Sequence, residues 1–169
     1  MPSSSPTGRA HTACRSSISP IVYRGPDTDY RGREICVGAN ETAVAIVDVT
    51  DKGRPFTIAV ATYPRVWYAH QGWMDEEHEF FYLNDEMDEA AGERNTRTLV
   101  WDLRDLADPV LAGSIGGETR TTDHNLYIRG DLMYQSNYQS GLRIVDISNR
   151  ERPQREVAPA RSGGPARMV

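Results

Sequence analysis

The stretch RIVDISN at residues 143–149 has two earlier counterparts in the chain, AIVDVTD at 45–51 and LVWDLRD at 99–105. In each copy, a proline follows the shared aspartate after seven residues. Apolar and β-branched residues that lead into Asp, Asn, Ser or Thr are typical of a short strand followed by a side-chain-capped turn. The three copies therefore predict three equivalent strands in an internally repeated chain, with the shared aspartates holding turns.

Two further features recur in the same order along the chain. His70 and His124 each lie 22 residues after a shared aspartate, Asp48 and Asp102 respectively. The segment FFYLN at 80–84 matches LMYQSN at 132–137, and ICVGAN at 35–40 is an earlier copy. One unit thus holds about four short strands in roughly 44 residues, which is the size of a β-propeller blade.

The repeat predicts an all-β fold of β-propeller-type blades, each a four-stranded antiparallel sheet. Residues 22–154 are expected to hold about two and a half to three blades, an incomplete propeller, because closed propellers have about four to eight. Residues 1–21 and 155–169 do not follow the repeat, and we expect disordered or unrelated tails there. The acidic segment from Asp85 to Thr98 is longer than its counterpart and is predicted to be a loop.

Composition excludes several classes of protein. The 169 residues are enough to bury a core, and the net charge of −5 does not favour nucleic-acid binding. No apolar run approaches the roughly 18–20 residues of a membrane span, and residues 1–20 lack the apolar core of a signal peptide. Motifs of nucleophile elbows, phosphate-binding loops and dinucleotide-binding folds are also missing from the sequence.

The repeat resembles the LVIVD-repeat β-propellers, and it is most similar to the choice-of-anchor B family of secreted or cell-surface proteins. The resemblance covers about residues 22–153 and implies a propeller outside the cell, with an unknown extracellular ligand or protein as its partner. It implies no biochemical activity. The segments that carry it are YRGPDTDYRGREIC (23–36), NE (40–41), IVDVTDK (46–52), HQGW (70–73), DEMDE (85–89), TRT (96–98), DHNLY (123–127) and GLRIVDIS (141–148).

The two cysteines, Cys14 and Cys36, leave two alternatives open. A disulfide between them would suit an oxidising compartment, in agreement with the resemblance to exported proteins. Two free buried thiols are the equal alternative.

The recurring histidines are the first candidate site. The first strand of a blade lines the central channel of a propeller, and His70 and His124 lie near the start of that strand in successive units. Together with Asp123 and the acidic segment, they could hold a divalent metal such as zinc. Alternatively, each histidine occupies the same structural position in its blade and bonds to the neighbouring backbone.

The acidic segment is the second candidate. Asp85, Glu86, Asp88 and Glu89 offer carboxylate oxygens, which are the ligands that Ca²⁺ prefers, although the segment lacks EF-hand spacing. From these residues, we include Asp85, Glu86 and Asp88 in the predicted metal site. The alternative is a solvated loop kept extended by its like charges.

Aromatic residues form the third candidate. Trp67, Tyr68, Trp73 and Tyr138 could provide a stacking surface for a sugar or peptide, and we select Trp73 and Tyr138 as predicted ligand-binding residues. The alternative is that these strand aromatics belong to the core.

The sequence favours a non-enzymatic secreted or cell-surface binding module, and no catalytic residue is predicted. One alternative is a metal-dependent, hydrolase-like enzyme whose channel histidines hold the ion. Another is a non-functional gene fragment, which the small number of repeats suggests.

Overall fold

The computed structural model of the chain describes residues 20–92, 95–150 and 155–158. In these residues, the chain forms three four-stranded antiparallel sheets, here called sheets I, II and III in chain order. Sheet I consists of β1 (Ile21–Val22), β2 (Glu34–Ala39), β3 (Val44–Asp48) and β4 (Phe56–Ala61). Sheet II consists of β5 (Ala69–Met74), β6 (Phe80–Asp85), β7 (Arg97–Asp102) and β8 (Val110–Gly116). Sheet III consists of β9 (Leu126–Arg129), β10 (Leu132–Asn137), β11 (Gly141–Asp146) and β12 (Arg155–Ala158).

Strands that follow one another in the chain also lie side by side in each sheet, which is the strand order of a propeller blade. The predicted all-β fold of four-stranded blades is therefore confirmed. Within the described ranges, two short helical segments join strands, namely α1 (Asp88–Gly92) between β6 and β7, and a 3₁₀ turn at Tyr138–Ser140 between β10 and β11. The acidic segment thus contains a short helix where the sequence predicted only a loop.

The structure also describes the edges of the predicted tails. Residues 155–158, expected to belong to a disordered tail, form β12 and pair with β11. Residues 1–19 and 159–169 lie outside the described residues, and so does Cys14, whereas Cys36 is buried in β2. Among the residues that the structure describes, no helix has the length and apolar character needed to cross a membrane.

The shared aspartates hold the same turn in all three sheets. One carboxylate oxygen (Oδ1) of each aspartate accepts a hydrogen bond from the backbone N–H two residues later. The distances are 2.9 Å for Asp48 and Thr50, 3.0 Å for Asp102 and Arg104, and 2.8 Å for Asp146 and Ser148. This is the side-chain-capped turn that the repeated sequence predicts, and it explains why the aspartate recurs in each copy.

Replacing Asp102 with alanine is expected to lower the free energy of unfolding by about 1 kcal/mol, because the Arg104 N–H loses its acceptor. Urea denaturation followed by tryptophan fluorescence measures this loss. Asp102→Asn keeps an acceptor oxygen at the same position and serves as the control, with a smaller expected loss. Equal losses in the two variants would contradict a role for the turn.

Two hydrophobic cores hold the sheets together. The first core lies between sheets I and II, and the second lies between sheets II and III. Residues of β6 alternate between them, since Phe81 and Leu83 enter the first core while Phe80 and Tyr82 enter the second. The central strands of sheet II, β6 and β7, are consequently buried on both faces. The first strand, β5, lies next to β9 of sheet III and to β2 of sheet I.

Candidate metal-binding site

His70, Glu86 and His124 come together where sheets II and III meet. His70 lies in β5, Glu86 directly follows β6, and His124 lies two residues before β9. Each offers one ligand atom, and these three atoms all lie within 4.8 Å of one another. The Glu86 carboxylate is 3.5 Å from Nδ1 of His70 and 3.7 Å from Nε2 of His124, so it lies between the two imidazoles.

Side-chain and backbone hydrogen bonds fix the three residues in place. The Gln71 side chain accepts a bond from the Leu126 N–H at 2.7 Å and donates one to the Leu126 carbonyl at 3.1 Å, which ties β5 to β9. The His124 N–H bonds to the carbonyl of Ser136, and the Glu86 N–H bonds to the carbonyl of Tyr68. The cluster is therefore built on strands and their ends, with the backbone bonded at Glu86 and His124 and with Gln71, next to His70, bonded to β9.

Aromatic rings pack against both histidines of the cluster. Tyr68 stacks on His70 with ring centroids 5.6 Å apart, and the rings of His70 and His124 are 4.8 Å apart. The edge of Tyr138 meets His124 at 5.4 Å, and its hydroxyl donates a hydrogen bond of 3.1 Å to Glu86. Tyr138 adopts a left-handed backbone conformation, with φ of 34°, which is uncommon outside glycine.

The electrostatic environment keeps one histidine available as a ligand. Burial lowers the pKa of His70, and His124 lowers it further, whereas the Glu86 carboxylate raises it. The net lowering favours the neutral imidazole near pH 7, which is the form that coordinates metals.

The distances suit a small divalent ion. Zinc binds nitrogen and oxygen at about 2.0–2.2 Å, so two ligand atoms in a tetrahedral site are about 3.3 Å apart. One carboxylate oxygen of Glu86 (Oε2) lies 3.5 Å from His70, and the other (Oε1) lies 3.7 Å from His124. The three ligand atoms lie within 4.8 Å of one another, so small side-chain movements would bring them to the separations of a zinc site. The side chains are between 18% and 37% exposed, so an ion can enter from solvent.

Asp85 and Asp88, also predicted as metal ligands, have other partners. Asp85 is buried and accepts bonds from the Tyr63 hydroxyl at 2.8 Å and from the backbone N–H groups of Trp67 and Tyr68 at 2.8 Å and 2.7 Å. Asp88 is buried in an ion pair with Arg97 at 2.8 Å. The structure gives both carboxylates roles in holding chain segments together.

Asp123, predicted as a metal ligand, directly precedes His124 and is buried among polar groups. One of its oxygens accepts a bond of 3.2 Å from the amide of Gln135. Burial raises the pKa of Asp123 well above its usual value, and the nearby Glu89 raises it further. Burial and Asp88 likewise raise the pKa of Glu89 to about 7. Asp85, Asp88 and Glu89 are all buried, so the acidic segment is not the solvated loop that its charge suggested.

Of the two aromatics predicted to bind ligand, the structure places only Tyr138 at the cluster. Trp73 lies further along β5, where it packs against the second core and meets Tyr127 edge to face at 4.9 Å. The roles of Gln71 in joining the strands and of Tyr68 beside His70 were not predicted. The Gln71 contact had no signal in the sequence, because its partner Leu126 lies 55 residues later in β9. Tyr68 was among the aromatics that could form a stacking surface, but its stacking on His70, two residues later, was not predicted.

The sequence matches no model of a known protein family and no curated protein. Its structure is similar to that of the periplasmic gluconolactonase PpgL of Pseudomonas aeruginosa, with a TM-score of 0.58 and 14% identity over 82% of this chain and 41% of that chain. A nidogen/laminin complex also matches, with a TM-score of 0.47 and 11% identity over 75% of this chain and 42% of that chain.

The chain thus spans less than half the length of either matched chain, and at 14% identity the likeness to the gluconolactonase concerns the fold alone. Membership of the LVIVD-repeat or choice-of-anchor B family stays a prediction. The described residues form three consecutive blades of an incomplete β-propeller.

Proposed function

We propose that this chain is a β-propeller module that binds a divalent transition-metal ion through His70, Glu86 and His124. The observation that carries the proposal is that the ligand atoms of these residues, from two blades, lie within 4.8 Å of one another. Two imidazole nitrogens and one carboxylate form a ligand set typical of zinc. A repeated structural role would explain the two histidines, but it would not explain the carboxylate between them.

The donor atoms favour zinc over calcium. Calcium takes six to eight oxygen ligands, whereas two of the three donors here are nitrogens. The carboxylates that could supply more oxygens, Asp85 and Asp88, are buried and already bonded to other groups.

Three protein ligands leave at least one coordination position of zinc free. In a binding module, that position takes a donor atom from a ligand or a partner protein, beside the rings of Tyr68 and Tyr138. The resemblance to choice-of-anchor B proteins supports a place for this module outside the cell or at its surface.

A metal-dependent enzyme is the second candidate, and the same free position favours it, because zinc can activate a bound water for hydrolysis. The similar protein from Pseudomonas aeruginosa is a gluconolactonase, which makes gluconolactone the first substrate to assay. Zinc-dependent hydrolysis that is lost with His124→Asn would favour the enzyme. Zinc binding without hydrolysis would favour the binding module.

Protein exposed to zinc and then dialysed against metal-free buffer is expected to keep about one zinc ion per chain, measured by inductively coupled plasma mass spectrometry. Zinc at about 100 times its dissociation constant should also stabilise the fold by about 2.7 kcal/mol, since it binds the folded chain. A large excess of calcium is not expected to displace the zinc. A chain that retains no zinc and gains no stability from it would contradict the proposal.

A further inference from the structure

Tyr138 lies at an unusual position for an aromatic residue. It is the first residue of the 3₁₀ turn between β10 and β11, and its side chain is 57% exposed. Its backbone is left-handed, with φ of 34°, a conformation that favours glycine or asparagine because a Cβ crowds the following carbonyl. In the described part of the chain, the buried cores do not contain it. Neither backbone preference nor burial of apolar surface therefore accounts for a tyrosine here.

The Tyr138 side chain contacts two of the three proposed metal ligands. Its hydroxyl donates a hydrogen bond of 3.1 Å to Oε1 of Glu86, and the edge of its ring meets the ring of His124 with centroids 5.4 Å apart. Glu86 follows β6 of sheet II, and His124 precedes β9 of sheet III. One side chain thus touches a ligand from each of the two blades.

The hydrogen bond distinguishes the two oxygens of Glu86. Oε1 accepts the Tyr138 hydroxyl and lies 3.7 Å from Nε2 of His124, whereas Oε2 lies 3.5 Å from Nδ1 of His70. A carboxylate can bind a metal through one oxygen or through both. The hydroxyl uses a lone pair of Oε1 and draws negative charge toward it, so Oε2 is left as the better donor to an ion.

The alternative is that Tyr138 only ties sheets II and III together. Gln71 already does this, because its side chain makes two hydrogen bonds to Leu126 of β9. A single hydrogen bond at an exposed position adds little to stability, since water competes for both partners. A bond to an oxygen of Glu86 is therefore better explained by the metal site than by the joint between the sheets.

We propose that Tyr138 is a positioning residue of the metal site, whose hydroxyl holds Glu86 so that the carboxylate binds the ion through Oε2 alone. The inference rests on the proposed function, since it concerns the same three ligands. Binding through one oxygen limits Glu86 to one coordination position, and the two histidines take two more. A four-coordinate ion then keeps its fourth position free.

Replacing Tyr138 with phenylalanine is expected to weaken zinc binding about 10-fold or more, because groups that orient a metal ligand typically contribute about 10- to 100-fold in affinity. The ring and its contact with His124 remain, so the loss isolates the hydroxyl. Competition with a chromogenic chelator measures it. Tyr127→Phe is the matched control, since Tyr127 is a 54% exposed tyrosine of sheet III whose ring meets Trp73 instead of the cluster. It should bind zinc as the wild-type chain does.

Cobalt(II) in place of zinc provides a readout that a purely structural role would not change. Its visible absorption is strong in a four-coordinate site and weaker when a further donor atom binds. In Tyr138→Phe, Oε1 of Glu86 is released and can join Oε2 at the ion, so we expect weaker absorption than in the wild-type protein. Tyr127→Phe should give the wild-type spectrum.

Tyr138→Asn separates the metal site from the stability of the turn. Asparagine accepts the left-handed conformation but lacks the ring and the phenol hydroxyl. We expect its zinc affinity to fall at least as far as that of Tyr138→Phe, while the melting temperature of the metal-free protein does not fall. A lower melting temperature in both variants, together with the loss of affinity, would instead assign Tyr138 a structural role.

Two further outcomes would overturn the role of Tyr138 and leave the proposed function in place. One is unchanged zinc affinity in Tyr138→Phe, and the other is a loss of affinity with an unchanged cobalt spectrum. A wild-type chain that binds neither zinc nor cobalt would overturn the role of Tyr138 and the proposed function together.

Discussion

Replacing His124 with asparagine is expected to weaken zinc binding at least about 100-fold. Loss of a residue that merely supports a metal ligand already costs about 10- to 100-fold in affinity, and His124 is proposed to bind the ion directly. Only His70 and Glu86 would remain as ligands, and two protein ligands rarely hold zinc against water. Competition with a chromogenic chelator measures the affinity over this range.

Replacing each of three histidines with asparagine, in separate variants, distinguishes the loss of a zinc ligand from general damage to the fold. His70→Asn is expected to reduce affinity as strongly as His124→Asn, because both imidazoles contact Glu86. His78→Asn is the matched control, since His78 packs against Tyr23, away from the cluster. His78 has a positive φ of 59°, a conformation that asparagine tolerates well, so the fold should accept the change.

Unchanged zinc affinity in both His70→Asn and His124→Asn would show that the ion binds elsewhere. Thermal unfolding without zinc provides the second readout. Because both histidines are partly exposed, neither substitution should lower the stability of the metal-free protein by more than about 1 kcal/mol. If all three variants, including His78→Asn, lose both zinc affinity and stability, the substitutions damage the fold.

The blades were predictable because their signals are local. Asp102 bonds to the backbone two residues later, and β10 and β11 are joined by a turn of three residues. Each feature therefore depends on a few neighbouring residues. Repetition then revealed the period. The strand at Arg155–Ala158 escaped prediction because its place in sheet III depends on pairing with β11, whereas its own sequence has little strand character.

The candidate site was only partly predictable, because its geometry depends on contacts between blades. The period suggested that His70 and His124 are equivalent, but their approach requires the Gln71 side chain to bond to Leu126, 55 residues later. Glu86 was predicted as one of several carboxylates of the acidic segment that could bind a metal, with the histidines or with calcium. Nothing in the sequence distinguishes it from Asp85 and Asp88, because the turn after β6 decides which carboxylate lies between the histidines.

The burial of the acidic residues was also not predictable from the sequence. Charge density predicts solvent exposure, and a lone segment of this composition would be solvated. The hydrogen-bond donors that make burial of Asp85 tolerable come from Tyr63, Trp67 and Tyr68, which precede it by 17 to 22 residues. Their convergence is a property of the folded blade, so it could not be inferred from the acidic segment.

Replacing Asp85 with alanine is accordingly expected to lower the free energy of unfolding by about 3 kcal/mol or more. The substitution removes the acceptor of the buried Tyr63 hydroxyl and of the part-buried Trp67 and Tyr68 N–H groups. A buried donor left without an acceptor costs about 1–3 kcal/mol. Burial and the neighbouring Asp85 raise the pKa of Tyr63, so its phenol stays protonated and needs an acceptor. Urea unfolding followed by tryptophan fluorescence measures the loss.

The control is Asp105→Ala, because the Asp105 carboxylate also accepts two backbone hydrogen bonds, from Ala107 and Asp108, but at an exposed position. Water can replace that carboxylate, so the expected loss is about 1 kcal/mol or less. The difference between the two variants isolates the effect of burial at Asp85. If the two variants lose the same stability, the groups that donate to Asp85 must reach water in the folded protein. Strand pairing alone would then hold the segment that leads into β5.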